Sequence, residues 1–145
     1  MTSVENVVHN SGGELIIEVS GYEREAPESL SDANWVNAQV CLRKDNFAGA
    51  AAVSLTTQDL LCLHTAVATL ASDGGGEARF EAVEGSLSVA ILLRPHGAGE
   101  LRAVLNDPLN LGVSLRVRFE IDRTDVEGLL RTLAATVRRF PPKNA

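Results

Sequence analysis

The fold is decided by nine residues at positions 113–121, which read VSLRVRFEI. Apolar side chains occupy every second position: Val113, Leu115, Val117, Phe119 and Ile121. The positions between them are polar: Ser114, Arg116, Arg118 and Glu120. Successive side chains of a strand point to opposite faces. The stretch therefore predicts a strand in an antiparallel sheet that has one buried face and one exposed face.

Working outward from this strand, similar patterns predict six more strands, at 14–19, 35–43, 47–55, 78–83, 86–94 and 100–105. One helix is predicted to begin after Thr56, which can cap the amide of Asp59, and to stop at the three glycines from Gly74. A second helix is predicted from a capping box, Thr124-x-x-Glu127, to the residues before Pro141. The predicted element order is βββαββββα.

The connections between neighbouring strands are too short for crossovers, so these strands should be antiparallel. We therefore expect an α+β fold, with one antiparallel sheet of about six to seven strands and two helices packed on one face. The 145 residues form a single predicted domain without a visible repeat. Residues 1–12 and 141–145 are predicted to be flexible.

The composition excludes several classes of protein. The net charge of −6 argues against non-specific binding to nucleic acid, which depends on clustered Lys and Arg. No apolar run is long enough to cross a membrane, and the polar N-terminus does not resemble a secretory signal, so a cytoplasmic location is expected. Cys41 and Cys62 are then expected to be unpaired thiols.

Residue chemistry gives no catalytic or metal-binding signature. His9, His64 and His96 have no second ligand at the spacing that a metal site needs. The glycines at 74–76 follow a helix and precede a strand, the reverse of a phosphate-binding loop. We therefore expect no enzyme activity, no bound metal and no cofactor.

Two charged regions are candidates for binding. The segment between Gly21 and Asn34 is long for a connection and acidic, which is typical either of a functional loop or of a plain mobile insertion. Alternation also places Arg102, Arg116 and Arg118 on the outward face of the sheet, where they could bind an anion. The simpler interpretation is cross-strand pairing with Glu81, Glu100 and Glu120.

Several short signatures resemble the WapI-type family of small bacterial immunity proteins. The stretch Asp32-Ala33-Asn34-Trp35-Val36 is similar to the Asp-x-Asn-Trp-Leu stretch that opens a strand in that family. Further similar positions are spread from the first helix to the aromatic-Pro ending: Asp59, Leu60, Leu63, Leu70, Phe80, Glu84, Leu87, Leu115, Phe119, Ile121, Asp122, Thr124, Phe140 and Pro141. Arg123 is a departure, because such proteins often have Gln there. The resemblance covers roughly residues 31–141.

This resemblance implies a non-catalytic protein that binds and neutralises a co-encoded toxin domain by occlusion, without a cofactor. A toxin that attacks nucleic acid would be basic, so its expected contacts are Glu23, Glu25, Glu28, Asp32 and Trp35. An acidic partner would instead suit Arg102, Arg116 and Arg118. The competing hypotheses are a small-molecule binder, with its ligand between sheet and helices, and, ranked last, an uncatalogued enzyme.

Overall fold

A computed structural model describes residues 3–24, 33–110 and 112–143 of the chain. In these ranges eight strands form two four-stranded antiparallel sheets, each with its strands in chain order. The first sheet contains β1 (Val4–His9), β2 (Glu14–Tyr22), β3 (Trp35–Lys44) and β4 (Phe47–Thr56). The second contains β5 (Gly76–Glu81), β6 (Leu87–Leu93), β7 (Ala98–Asn106) and β8 (Ser114–Asp122). The helices are α1 (Thr57–Asp73) and α2 (Arg123–Arg139).

The α+β class is confirmed, but the single sheet of six to seven strands is wrong. Helix α1 follows β4, and β5 begins a new sheet instead of pairing with β4. Alternation predicts which residues of a strand are buried, but it does not say which strands pair across a helix.

The extra strand is β1, in a segment that the sequence predicted to be flexible. Its buried residues include Asn6 and Val8, which pair with Ile17 and Leu15 of β2. Asn6 is a polar residue at a core-facing position, so it conceals the alternation of the strand. The order of the elements in the described ranges is therefore ββββαββββα.

The same topology, four antiparallel strands followed by a helix, occurs twice, although the sequence showed no repeat. Each helix packs against the first strand of the other sheet: α1 lies beside β5, and α2 lies beside β1. The two helices also pack against each other. One hydrophobic core therefore joins both halves.

The predicted start of α1 is confirmed. The Thr56 hydroxyl accepts a hydrogen bond from the Asp59 amide at 2.9 Å, and the Asp59 carboxylate accepts from the Thr56 amide at 2.9 Å. Asp59 also accepts from the amide of Val83 at 3.1 Å, which ties the helix to the turn after β5. The predicted start of α2 is wrong by two residues, because Asp122 and Asp125 form its capping box.

The alternation of the stretch at 113–121 is confirmed in β8. Val117, Phe119 and Ile121 are buried, whereas Arg116 and Arg118 are exposed. Val113 precedes the strand and is half exposed.

Candidate partner-binding surfaces

The acidic segment begins where β2 ends. Glu23 is exposed, and its backbone amide donates to the carbonyl oxygen of Trp35 at 3.0 Å. Trp35 is partly buried, and it opens β3 opposite Thr56. Glu25, Glu28 and Asp32 lie outside the described residues. The structure thus places Glu23, directly after β2, next to Trp35 at the start of β3.

The C-terminal residues close against the base of this segment. The Asn34 side chain accepts from the Lys143 amide at 2.7 Å and donates to the Lys143 carbonyl at 3.1 Å. Tyr22 donates its hydroxyl to the carbonyl of Pro141 at 3.0 Å, and its ring meets the Phe140 ring edge-on at 5.5 Å. Residues 141–143, predicted to belong to a flexible tail, are therefore held by specific contacts.

Two of the family signatures meet at this point. Asn34 also accepts from the hydroxyl of Thr57 at 2.8 Å, so it joins the start of β3, the start of α1 and the chain end. The Lys143 ammonium lies 3.7 Å from the centroid of the Tyr22 ring, a cation–π contact. Burial raises the pKa of the Tyr22 hydroxyl above its ordinary value of 10.0.

The arginines predicted to share an outward face do so on the second sheet. Arg102 of β7 pairs directly with Arg118 of β8, and Arg116 pairs with Val104. Arg79 of β5 and Ala90 of β6 continue the row that contains Arg102 and Arg118. Three guanidinium groups therefore lie in one line across the exposed face.

This arginine face also carries as many glutamates as arginines. Its acidic residues, one or two on each of three strands, are Glu77, Glu81, Glu100 and Glu120. Glu100 pairs with Arg118 at 2.8 Å and with Arg102 at 3.5 Å. Arg79 pairs with Glu77. Among the described residues Arg116 has no ion pair. The predicted cross-strand pairing is found for Arg118 with Glu100, whereas Arg79 and Arg102 pair with glutamates of their own strands.

An exposed apolar group at one end of the second sheet was not predicted from the sequence. Leu109 is 90% exposed in the β7–β8 loop, with Val113 at the end of that loop. Val83 lies in the β5–β6 turn and is also exposed. Asn106 joins the two loops, since its side chain donates to the carbonyl of Gly85 at 2.8 Å. The sequence feature that could have indicated this exposed group is the presence of apolar residues in a loop that is otherwise rich in turn-forming residues.

Part of the predicted ligand space lies between α1 and the second sheet. The gap lined by residues of α1, β5 and β6 has a volume of about 0 Å³ for a water-sized molecule. A larger cleft of 580 Å³ lies outside the core and opens to solvent. Its lining is mixed in charge: Lys44, Arg94, Arg118, Glu100 and Glu120, with Gly12, Gly99 and Phe119.

The remaining candidate groups are dispersed in the described ranges. No three His, Cys, Asp or Glu residues there are placed to hold a metal ion. His9 forms an ion-pair contact with Glu14 at 3.0 Å, and Cys41 and Cys62 are free, as predicted. Within the same ranges, no helix has the length and apolar character needed to cross a membrane.

Comparison with known proteins now adds to this geometry. No curated protein matches the sequence significantly. The crystal structure of WHY1 from Arabidopsis thaliana is similar, with a TM-score of 0.55 over 98% of this chain and 86% of that chain. At 13% identity this likeness concerns the fold alone. The immunity protein WapI-like family matches residues 7–141, and the chain therefore belongs to that family.

Proposed function

We propose that this protein neutralises a bacterial toxin domain by binding it directly and covering its active surface. Membership of the WapI-like immunity family over residues 7–141 is the observation that carries the proposal. Binding alone would be enough for protection, so neither catalysis nor a cofactor is required. The toxin partner is expected to be the one encoded next to this gene.

The acidic segment is our first choice for the contact surface. Glu23 is exposed at its start, and a backbone hydrogen bond holds it next to Trp35. Tryptophan is enriched at the energetic centres of interfaces, and carboxylates around it would attract a basic domain. Asn34 and Lys143 support this base through two hydrogen bonds, which would limit the entropy lost on binding.

The arginine face is our second choice. Most of its guanidinium groups are already paired with Glu77 or Glu100, so the face offers little net charge to an acidic partner. Arg116 is the exception, and it lies toward the end that carries the exposed Val113. A partner there would combine an apolar contact with one charged contact.

Co-expression tests the function. The toxin domain from the adjacent gene should arrest growth when expressed alone, and this protein should restore growth. The purified proteins should form a stable complex in isothermal titration calorimetry with a catalytically inactive toxin domain. Continued growth arrest in cells that contain folded protein would refute the proposal.

Charge reversal tests the surface. Replacing Glu23, Glu25 and Glu28 by Lys should slow association by at least about tenfold and weaken its salt dependence, because steering acts on encounter. The matched control replaces Glu81, Glu84 and Glu120 by Lys, which changes the net charge equally at exposed positions elsewhere. Equal slowing in both variants would mean that only net charge matters. Unchanged association of the variant at Glu23, Glu25 and Glu28, together with faster association of the control, would move the interface to the arginine face, which suits an acidic partner.

A further inference from the structure

Strand β4 has an unpaired backbone edge along its full length of ten residues. It is the last strand of the first sheet, and β3 is its only strand neighbour among the described residues. In an antiparallel strand about every second residue directs its N–H and C=O away from the paired neighbour. These groups form a row that can accept another strand.

The other three outer strands carry charged side chains, which include Glu5 on β1 and Glu77, Arg79 and Glu81 on β5. Helix α2 also packs against β1, and helix α1 against β5. Strand β8 carries alternating charges at Arg116, Arg118, Glu120 and Asp122. Charged side chains on an edge discourage pairing with another chain. Strand β4 has no charged residue from Phe47 to Thr56.

We propose that β4 pairs antiparallel with β4 of a second copy of this chain, so that two first sheets join into one continuous sheet of eight strands. This proposal does not depend on the toxin-binding function. A two-fold axis places each strand against itself in reverse, and any charged residue near its centre would then face a like charge. The absence of charge in β4 removes that penalty.

The side chains fit this arrangement. Directly opposite residues must lie on the same face of the joined sheet, and a register centred on Ala51 satisfies this condition. Ala50 of one copy then lies opposite Ala52 of the other, and both are small and exposed. The same register brings Phe47 opposite Leu55 of the second copy, so this pairing sets no charged or polar side chain against the aromatic ring.

A different protein is a less suitable occupant. Strand addition obtains its affinity from backbone hydrogen bonds and its specificity from pockets for side chains. The outward face of β4 offers Ala48, Ala50 and Ala52, which form no pocket for a particular sequence. Pairing with a second copy does not depend on such pockets, because the two strands are identical.

The test is the molar mass in solution, measured by light scattering during size exclusion and by sedimentation velocity. The wild-type protein should have about twice the 15.4 kDa mass of one chain. The double substitution A50K/A52K places lysines opposite one another and should weaken self-association roughly tenfold or more. The double substitution A50E/A52E should do the same. An equimolar mixture of the two variants should restore the double mass, because opposite charges then meet.

The matched control is N37K/Q39K, which adds two lysines at exposed positions on the neighbouring strand and the same outward face. This control should keep the double mass if the contact is edge to edge. A control that dissociates would show that the sheet faces make the contact, and would overturn the proposal. A wild-type protein that stays monomeric at high concentration would overturn it as well. Circular dichroism confirms that each variant is folded, and recovery of mass in the mixture excludes simple unfolding.

Discussion

Replacing Thr136 by Val should destabilise the protein by about 1–3 kcal/mol, because the change leaves a buried acceptor without its donor. Thr136 of α2 and Asn6 of β1 are both fully buried. The Thr136 hydroxyl lies 3.1 Å from the Asn6 side-chain oxygen and 2.9 Å from the carbonyl oxygen of Thr132, so these two acceptors share its one proton. The Asn6 amide donates to the carbonyl of Ile17 at 3.1 Å. This polar pair joins the first strand to the last helix across nearly the whole chain.

The same substitution should cost much less when Asn6 has already been replaced by leucine. The Asn6→Leu variant has no buried acceptor at that position, so removing the Thr136 hydroxyl leaves nothing there unpaired. The cost of Thr136→Val should then fall to within about 1 kcal/mol, since replacing both polar partners by apolar groups of similar shape is nearly neutral. The coupling between the two positions should therefore be about 1–2 kcal/mol.

Urea unfolding of the wild type, both single variants and the double variant measures this coupling directly. Thr132→Val is the matched control, because Thr132 lies one turn earlier on α2 and donates to the carbonyl of Leu129. Its cost should be the same in the wild-type and the Asn6→Leu backgrounds. A Thr136→Val cost that is also equal in both backgrounds would refute the assignment of this hydrogen bond.

Three further outcomes follow from the described contacts. Phe119→Asp should lower the free energy of unfolding by more than about 3 kcal/mol, because it buries an unpaired charge. Arg116→Ser on the exposed face should change that free energy by under about 1 kcal/mol. Denaturant melts of the two variants test both values. Gly99→Ala should destabilise by about 1–3 kcal/mol, because its added methyl group would overlap the carbonyl oxygen of Leu92, and a thermal melt that matches wild type would contradict this. The raised pKa of Tyr22 means that folding favours the neutral phenol. The contribution of Tyr22 to stability is therefore full below pH 10.0 and is lost as the pH rises above that value. In urea melts at a series of pH values, the Tyr22→Phe variant should lose less stability at alkaline pH than the wild type.

The alternation of apolar and polar residues and the capping residues predicted both helices and the strands other than β1. The predictions that failed did so for physical reasons. In β8 every second residue is apolar, so the burial of Val117, Phe119 and Ile121 followed directly. In β1 the alternation is interrupted by Asn6, a polar residue at a buried position. Asn6 can be buried because partners distant in the sequence form hydrogen bonds with its side chain. No local signal contains that information.

The division into two sheets was not predictable for a similar reason. One sheet was expected, but β5 begins a second sheet, and α1, the helix before it, packs against it. Which edge a helix covers depends on the packing of the complete core.

The candidate surfaces were predicted only in part. Alternation placed Arg102, Arg116 and Arg118 on one exposed face, because alternation fixes the direction of each side chain. The contact of Asn34 with Lys143 was not predictable, since it joins residues from opposite ends of the sequence. The resemblance to the family did point to the segments containing Asn34 and Phe140, and their proximity gives those signatures a structural reason.

The two proposals can hold in the same assembly. Trp35 lies opposite Thr56, at the end of β4 that is five residues away from Ala51, the centre of the proposed pairing. Because the two copies of β4 run in opposite directions, the two Thr56 ends would lie about 34 Å apart, at a rise of about 3.4 Å per residue. Glu23 and Trp35 of one copy would therefore stand at the opposite end of the joined strands from those of the other copy. Each copy could hold its own toxin domain, and the loss of pairing in A50K/A52K should leave toxin binding by each single copy intact.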